Sequence, residues 1–303
     1  MKGYVIAIAS CASLFWGLSF PITIIGLNTI SPLLLALWRY ALATPLFLIT
    51  LLAIHGRKGL KIYPHIGIFL LLGLFGVAIP ISLQNIGMVY TSAPISSILQ
   101  STGPLFTVIL AASFLNEPLT KKKASGILLA SLGTILALNV KNPGAGSLMG
   151  NIMVLFSAIS YSIGGIIAKY CLNKGYQPIQ LIAFSSLSGT CFLLIVTSFV
   201  EKLTISFSFN SWMMILFLAI FPTFISFIFW YTAMKKMEVS RLSFFIYLIP
   251  VFATLFSYIL LKQHITWVMI LSGILIIIGV AIAQTHRNLN ESAINKYDAG
   301  KVN

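Results

Sequence analysis

Long apolar runs alternate with short polar breaks along the whole chain. Ten apolar runs can be delimited, near residues 4–26, 32–54, 65–86, 94–115, 122–140, 148–171, 178–200, 211–233, 239–261 and 265–285. A helix needs about 20 consecutive apolar residues to cross the hydrocarbon core of a bilayer. Glycine, proline and charged residues fill the breaks, as in residues 55–59 and 141–146. The pattern therefore predicts an all-α integral membrane protein with ten transmembrane helices.

The composition excludes a water-soluble protein. Of the 303 residues, 58% are hydrophobic and only 8% are charged, and the mean hydropathy is +1.00. A soluble domain carries about 25% charged residues, so soluble enzymes, DNA-binding modules and disordered tails are excluded for the chain as a whole. Cys11, Cys171 and Cys191 lie in apolar runs and indicate no disulfide framework.

The distribution of charge predicts the topology. The chain has 19 Lys and Arg against five acidic residues, a net charge of +14. With the N-terminus in the cytoplasm, fifteen cations fall on the cytoplasmic side, three (Lys141, Lys202 and Lys262) on the other, and Arg39 within a span. Because cytoplasmic loops carry an excess of Lys and Arg, both termini are expected in the cytoplasm of a multi-pass protein in a prokaryotic cell membrane. The cations lie between apolar runs, so nucleic acid is not an expected partner.

An internal repeat divides the chain into two halves. A shift of 146 residues aligns them, and the matched pairs include Pro32 with Pro178, Ser97 with Ser243, Pro104 with Pro250, Phe106 with Phe252, and Gly133 with Gly279. Five spans per half is an odd number, so the second half must be inverted in the membrane. The expected units are two five-helix repeats, 1–140 and 148–285, followed by a polar cytoplasmic tail, 286–303. Inverted repeats are typical of secondary transporters, which bind substrate near the midplane between the halves.

Several motifs in the chain resemble one known family. They are Phe15-Trp16-Gly17, Trp38-Arg39-Tyr40, Tyr90-Thr91-Ser92-Ala93-Pro94, Gly103-Pro104-Leu105-Phe106 and the segment from Phe114 to Thr120. With them the sequence resembles the drug/metabolite transporter superfamily, specifically its EamA-type ten-helix members, over nearly the whole chain. The resemblance implies export or exchange of amino acids, other metabolites or drugs. In the second copy Gln263 stands where family members usually have Glu, the counterpart of Glu117.

Arg39 is the strongest candidate for a substrate-binding residue. It lies in the second run, roughly 6 Å from the midpoint of that span at 1.5 Å per residue. An Arg at the bilayer centre costs at least about 2.5 kcal/mol on insertion scales, so it is expected to face the bundle interior or water. Its planar fork suits a substrate carboxylate or phosphate. Two structural alternatives stay open: binding to helix carbonyls, or snorkelling to the outer interface.

The remaining candidates are polar and aromatic residues near helix centres. The candidates for substrate binding are Ser97, Gln100 and Ser243 among polar residues, and Trp16, Tyr161, Phe184 and Tyr247 among aromatic ones. Helix packing and core filling are their structural alternatives. A further cluster of matched positions comprises Gln84, Asn85, Trp230 and Tyr231.

Three residues at helix ends or kinks are expected to have structural or gating roles, namely Glu117, Pro104 and Pro250. Glu117 is expected to cap a helix start or to pair with Lys121 to Lys123. Lys169 is expected to snorkel towards the cytoplasmic interface.

The sequence contains no phosphate-binding loop, no zinc-protease motif and no cluster with metal-ligand spacing, so neither cofactor nor metal is expected. We interpret the chain as a secondary transporter, not an enzyme. Its expected activity is export or exchange of amino acids or related compounds, by alternating access around a central cavity. The open alternatives are a proton-coupled efflux carrier for drugs or other organic solutes, a channel, and a membrane-embedded enzyme. The expected partners are a small-molecule substrate and the lipid bilayer, and a homodimer is left open.

Overall fold

The computed structural model describes residues 2–60, 66–138, 147–262 and 267–284, and all regular structure in these ranges is helical. The helices are α1 (Lys2–Leu27), α2 (Pro32–His55), α3 (Ile66–Val89), α4 (Ala93–Leu115), α5 (Lys121–Leu138), α6 (Leu148–Asn173), α7 (Pro178–Val200), α8 (Phe209–Lys236), α9 (Val239–Leu261) and α10 (Trp267–Gln284). A short 3-10 turn, Gly56–Leu60, follows α2.

Eight of these helices, α1 to α4 and α6 to α9, are long and apolar enough to cross a membrane. The prediction of an all-α membrane protein is therefore confirmed. Helices α5 and α10 have 18 residues each and pack on one another, with Gly126 of α5 against Gly279 of α10. The count of ten spans stays a prediction. Gln263, the 141–146 loop and the 286–303 tail lie outside the described residues.

The same backbone irregularities recur 146 residues apart. Wide π-helical turns interrupt α3 at Leu74–Ala78 and α8 at Ile220–Ile225. Asn116 and Lys262 end α4 and α9 in the left-handed conformation, with φ of 53° and 52°. These paired features have the spacing of the sequence repeat. The boundaries of the two predicted units remain a prediction.

Small residues allow the helices around the centre to approach closely. A Cβ atom added to Gly164 of α6 would lie 2.6 Å from the Cα of Gly76 in the wide turn of α3. A Cβ atom added to Gly17 of α1 would lie 2.4 Å from the Cβ of Phe252 in α9. Close backbone approach through small residues is how helices associate in a bilayer, where no hydrophobic force drives them together. These contacts hold α3 against α6 and α1 against α9.

The N-terminus of α2 is capped by a carboxylate from a distant helix end. The carboxylate of Glu201, just beyond α7, accepts hydrogen bonds from the Ser31 hydroxyl at 2.6 Å and from the amides of Leu33 and Leu34 at 3.1 and 2.9 Å. An acidic group at this position satisfies amides that have no partner within the helix and interacts favourably with the helix dipole. The cap ties the start of α2, the helix that carries Arg39, to the end of α7.

Candidate functional site

A central cavity lies among seven helices, α1 to α4, α6, α8 and α9, and both predicted halves contribute to its wall. The centres of water molecules can occupy about 110 Å³ of it. Since a single water requires about 10–15 Å³ on this measure, the cavity has room for a small solute.

Arg39 is the one charged side chain among the described residues that line this cavity. It is 4% exposed, and its Nε donates a hydrogen bond to the Thr223 hydroxyl at 2.6 Å. Its guanidinium carbon also lies 5.9 Å from the centre of the Tyr40 ring. Within the described ranges no carboxylate is in ion-pair distance of Arg39. The bond from Nε is also the one side-chain hydrogen bond of Arg39 to the described residues, so its two terminal nitrogens have no protein partner among them.

The wide turn of α8 organises two cavity residues that belong to other helices. Pro222 has no amide hydrogen, which leaves the Leu218 carbonyl without its usual helical donor. The Thr223 hydroxyl donates to that carbonyl at 2.7 Å while it accepts from Arg39. The Pro222 carbonyl accepts the Trp16 indole N–H at 2.8 Å. Thr223, which is fully buried, thus links the backbone of α8 to the guanidinium.

Aromatic rings form much of the remaining wall. The centre of the Trp16 ring lies 4.8 Å from that of Trp230 and 5.7 Å from that of Phe227. Phe20, Tyr161 and Tyr231 complete the aromatic lining. Such rings provide a large apolar contact area that does not rearrange easily.

Tyr161 also faces a second tyrosine behind the wall. That residue, Tyr40, is 1% exposed, and its hydroxyl forms no hydrogen bond of normal geometry with the described residues.

The structure brings five of the eight predicted binding residues to the cavity wall. They are Trp16, Arg39, Gln100, Tyr161 and Ser243. The Gln100 carbonyl accepts a hydrogen bond from the Ser157 hydroxyl at 3.3 Å. The Ser243 hydroxyl donates to the Ser240 carbonyl at 2.8 Å.

The other three predicted binding residues do not line this cavity. Ser97 is fully buried and its hydroxyl donates to the Pro94 carbonyl at 2.7 Å. Phe184 packs on Phe69, with ring centres 5.4 Å apart. The Tyr247 hydroxyl shares a hydrogen bond with Ser131 of α5 at 3.2 Å. Phe184 and Tyr247 thus contact neighbouring helices, whereas Ser97 bonds within its own helix.

The two prolines that are matched across the repeat, Pro104 and Pro250, have matching places in the fold. Helix α4 is interrupted at Ser101 and Thr102, and Pro104 lies in the first turn of its second segment. Helix α9 is interrupted by the 3-10 turn Phe244–Tyr247, and Pro250 lies in the first turn after it. Both prolines therefore mark places where a cavity-lining helix changes geometry.

Glu117 caps a helix, but the helix is α9 and not the one that follows it. The Glu117 carboxylate accepts from the amides of Val239 and Ser240 at 2.8 and 3.0 Å, and from the Ser240 hydroxyl. Within the described part of the chain it forms no ion pair with Lys121 to Lys123, so that alternative is wrong. Lys123 pairs instead with Glu238, at 2.7 Å.

Lys169 binds the end of α8, which corrects the expectation that it snorkels to the interface. It is 9% exposed, and its ammonium donates to the carbonyls of Met234 and Met237 at 2.8 Å each. A cation there suits the negative end of the helix dipole. Met234 and Val239 line the cavity, so Lys169 and Glu117, which bind the end of α8 and the start of α9, hold segments that border it.

Comparison with known proteins gives a consistent result. The model of the EamA-like transporter family matches residues 2–139 and 148–285. The chain is 31% identical to an uncharacterized transporter of Archaeoglobus fulgidus, over 90% of this chain and 96% of the relative. It is 26% identical to the uncharacterized transporter YyaM of Bacillus subtilis, over 93% and 96%.

Two more distant similarities extend the comparison. A probable amino-acid metabolite efflux pump of Escherichia coli is 24% identical, over 88% of this chain and 90% of the relative. A protein crystal structure superposes with a TM-score of 0.78 at 19% identity, over 94% of this chain and 97% of that one. The last similarity concerns the fold alone.

Proposed function

The chain belongs to the EamA-like transporter family, and from that premise we propose that it exports or exchanges an amino acid or related small metabolite. Transport proceeds by alternating access, in which the two halves expose the central cavity to each side of the membrane in turn. The observation that carries the proposal is the cavity itself, whose wall is drawn from both predicted halves, as in carriers built from inverted repeats. The name of the Escherichia coli relative supports the substrate class.

The protein is a multi-pass membrane protein, and we place it in the cytoplasmic membrane with both termini in the cytoplasm. Single cysteines at Lys122 and Lys236, which are exposed, should resist an impermeant thiol reagent in intact cells. Cysteines at Asn28 and Lys202, also exposed, should be labelled. The measurement uses a background without native cysteines and counts labelling before and after lysis. Labelling of the first pair in intact cells would show that the protein has the opposite orientation in the membrane.

The side chains of the cavity suggest transport without proton coupling. Among the described residues its wall carries no Asp, Glu or His, and proton-coupled carriers use such groups at membrane depth. The carboxylates of Glu117 and Glu201 are both engaged at helix starts. Transport should therefore follow the gradient of the substrate, by uniport or by exchange.

Proteoliposomes test this proposal for energy coupling. With the membrane voltage clamped, purified protein should equilibrate substrate in the absence of a pH or sodium gradient. An imposed pH gradient should not drive accumulation above equilibrium. The voltage clamp is needed because about 2.3 kcal/mol acts on each charge per 100 mV. Uphill accumulation that an uncoupler abolishes would support the proton-coupled alternative instead.

A further inference from the structure

Among the described residues, the wall of the cavity has one positive charge and no negative charge, and we infer that its ligand is a small organic carboxylate with an apolar or aromatic body. The inference rests on the proposed transport function and names the substrate class of the same site. Arg39 is buried without a counter-ion among the described residues. A buried charge is costly unless it is paired, and the carboxylate of a ligand supplies that pair.

The position of Thr223 decides how the guanidinium meets its ligand. Because Nε of Arg39 already donates to Thr223, the two terminal nitrogens are the donors that remain. They form the end of the planar fork, which binds both oxygens of one carboxylate through parallel hydrogen bonds. Thr223 is itself held by the Leu218 carbonyl, so it is a positioning residue for Arg39.

Two further residues of the cavity wall carry donors without a described protein partner. The Gln100 carbonyl is occupied by Ser157, which leaves its amide nitrogen as a donor. The indole N–H of Trp230 forms no hydrogen bond within the described ranges. A carboxylate matches such donors. Among the described residues of the wall no carboxylate is present to pair with an ammonium group, so an amino group on the ligand is not required.

The apolar part of the ligand has a matching surface. Trp16, Trp230 and Phe227 form one continuous aromatic cluster, and Trp16 is fixed there by its bond to the Pro222 carbonyl. Because the wide turn of α8 holds both Trp16 and Arg39, the aromatic surface and the anion-binding group keep a fixed relation. A ligand with a carboxylate at one end and a ring at the other fits this arrangement.

Three probes of similar size that differ in the charge of their polar end test the inference. Phenylacetate, phenylacetamide and phenethylamine share a phenyl ring but carry an anionic, a neutral and a cationic end. Isothermal titration calorimetry on the purified full chain in detergent should show phenylacetate binding at least about tenfold more tightly than the other two, as expected for charge-assisted hydrogen bonds. Equal binding of all three, or tighter binding of the amine, would overturn the inference. So would the absence of phenylacetate binding to folded protein.

Variants separate positioning from simple stability. Thr223→Ser keeps the hydroxyl and should keep the preference for phenylacetate over phenylacetamide. Thr223→Val has nearly the same shape without the hydroxyl and should reduce that preference several-fold. The ratio of the two dissociation constants would not change if Thr223 only stabilised the fold, and an unchanged ratio contradicts its role. If the protein transports neutral or cationic solutes but ignores carboxylates, the anion inference fails while the proposed transport function stands.

Discussion

Arg39→Gln should abolish most transport and leave the protein at least as stable as wild type. The substitution removes the fork that we assign to the substrate carboxylate, and hydrogen bonds to charged groups contribute about 1.5–3 kcal/mol. The expected loss in transport efficiency is therefore at least about tenfold. Stability should hold or rise, because Arg39 is 4% exposed and has no described counter-ion, and removing an uncompensated buried charge relieves a cost.

The measurement is the initial rate of exchange in proteoliposomes, normalised to the amount of reconstituted protein, together with the melting temperature in detergent. Arg39→Lys keeps the charge but not the planar fork, so its rate should fall between those of wild type and Arg39→Gln. Arg57→Gln is the matched control, because Arg57 is exposed in the turn after α2. Wild-type rates in Arg39→Gln would assign Arg39 to a purely structural role.

Gly164→Ala should strongly destabilise the protein, whereas Gly165→Ala should not. A Cβ atom at Gly164 would lie 2.6 Å from the Cα and 2.9 Å from the amide nitrogen of Gly76. Backbone atoms cannot move aside as a flexible side chain does, so α3 and α6 must separate. Overpacking of this kind costs typically about 1–3 kcal/mol. At Gly165 an added Cβ meets nothing within 4 Å, and alanine favours the helix by about 0.5–1 kcal/mol.

The neighbouring glycines make this comparison well controlled, since both changes add one methyl group to the same helix. Melting temperatures of the two purified variants give the answer directly. A lower value for Gly164→Ala and an equal or higher one for Gly165→Ala is expected. Equal melting temperatures would show that the close contact of α3 with α6 is absent from the folded protein.

Apolar runs were sufficient to predict the helices, but not their internal irregularities. The run near 178–200 coincides with α7, and the run near 211–233 lies inside α8, Phe209–Lys236. The wide turn at Ile220–Ile225 leaves no mark on hydropathy, because its residues are as apolar as their neighbours. Pro222 was the available signal, since a proline within a span leaves a carbonyl without its usual donor.

Depth in the membrane could be estimated from sequence, but the direction in which a side chain points could not. Lipid and protein core are both apolar, so a membrane helix has no polar face to show which side is buried. The same grounds predicted Trp16, Tyr161 and Phe184 as binding residues. Trp16 and Tyr161 line the cavity, whereas Phe184 packs on Phe69. Arg39 was easier to place because its charge restricts it to the interior.

Contacts between distant segments were the part that sequence could not supply. Glu117 caps α9, more than a hundred residues away, although adjacent lysines offered a local partner. Thr223 was missed because a single threonine in an apolar run looks like a packing residue. Its role depends on Arg39 and Leu218, and only the folded arrangement of α2 and α8 brings these groups together.

Counterflow in proteoliposomes tests most directly whether the protein is an alternating-access carrier. Vesicles loaded with one unlabelled amino acid, or its deaminated carboxylate, are diluted into a trace of the same compound in radiolabelled form. Because the exchange of like for like moves no net charge, no membrane voltage develops to distort the result. The experiment is repeated with several such compounds. For at least one of them the radiolabel inside the vesicles should rise transiently above its equilibrium level and then decay. Entry that only reaches equilibrium, without the transient rise, would contradict the carrier account, whereas no entry of any compound with folded protein present would contradict the proposed substrate class.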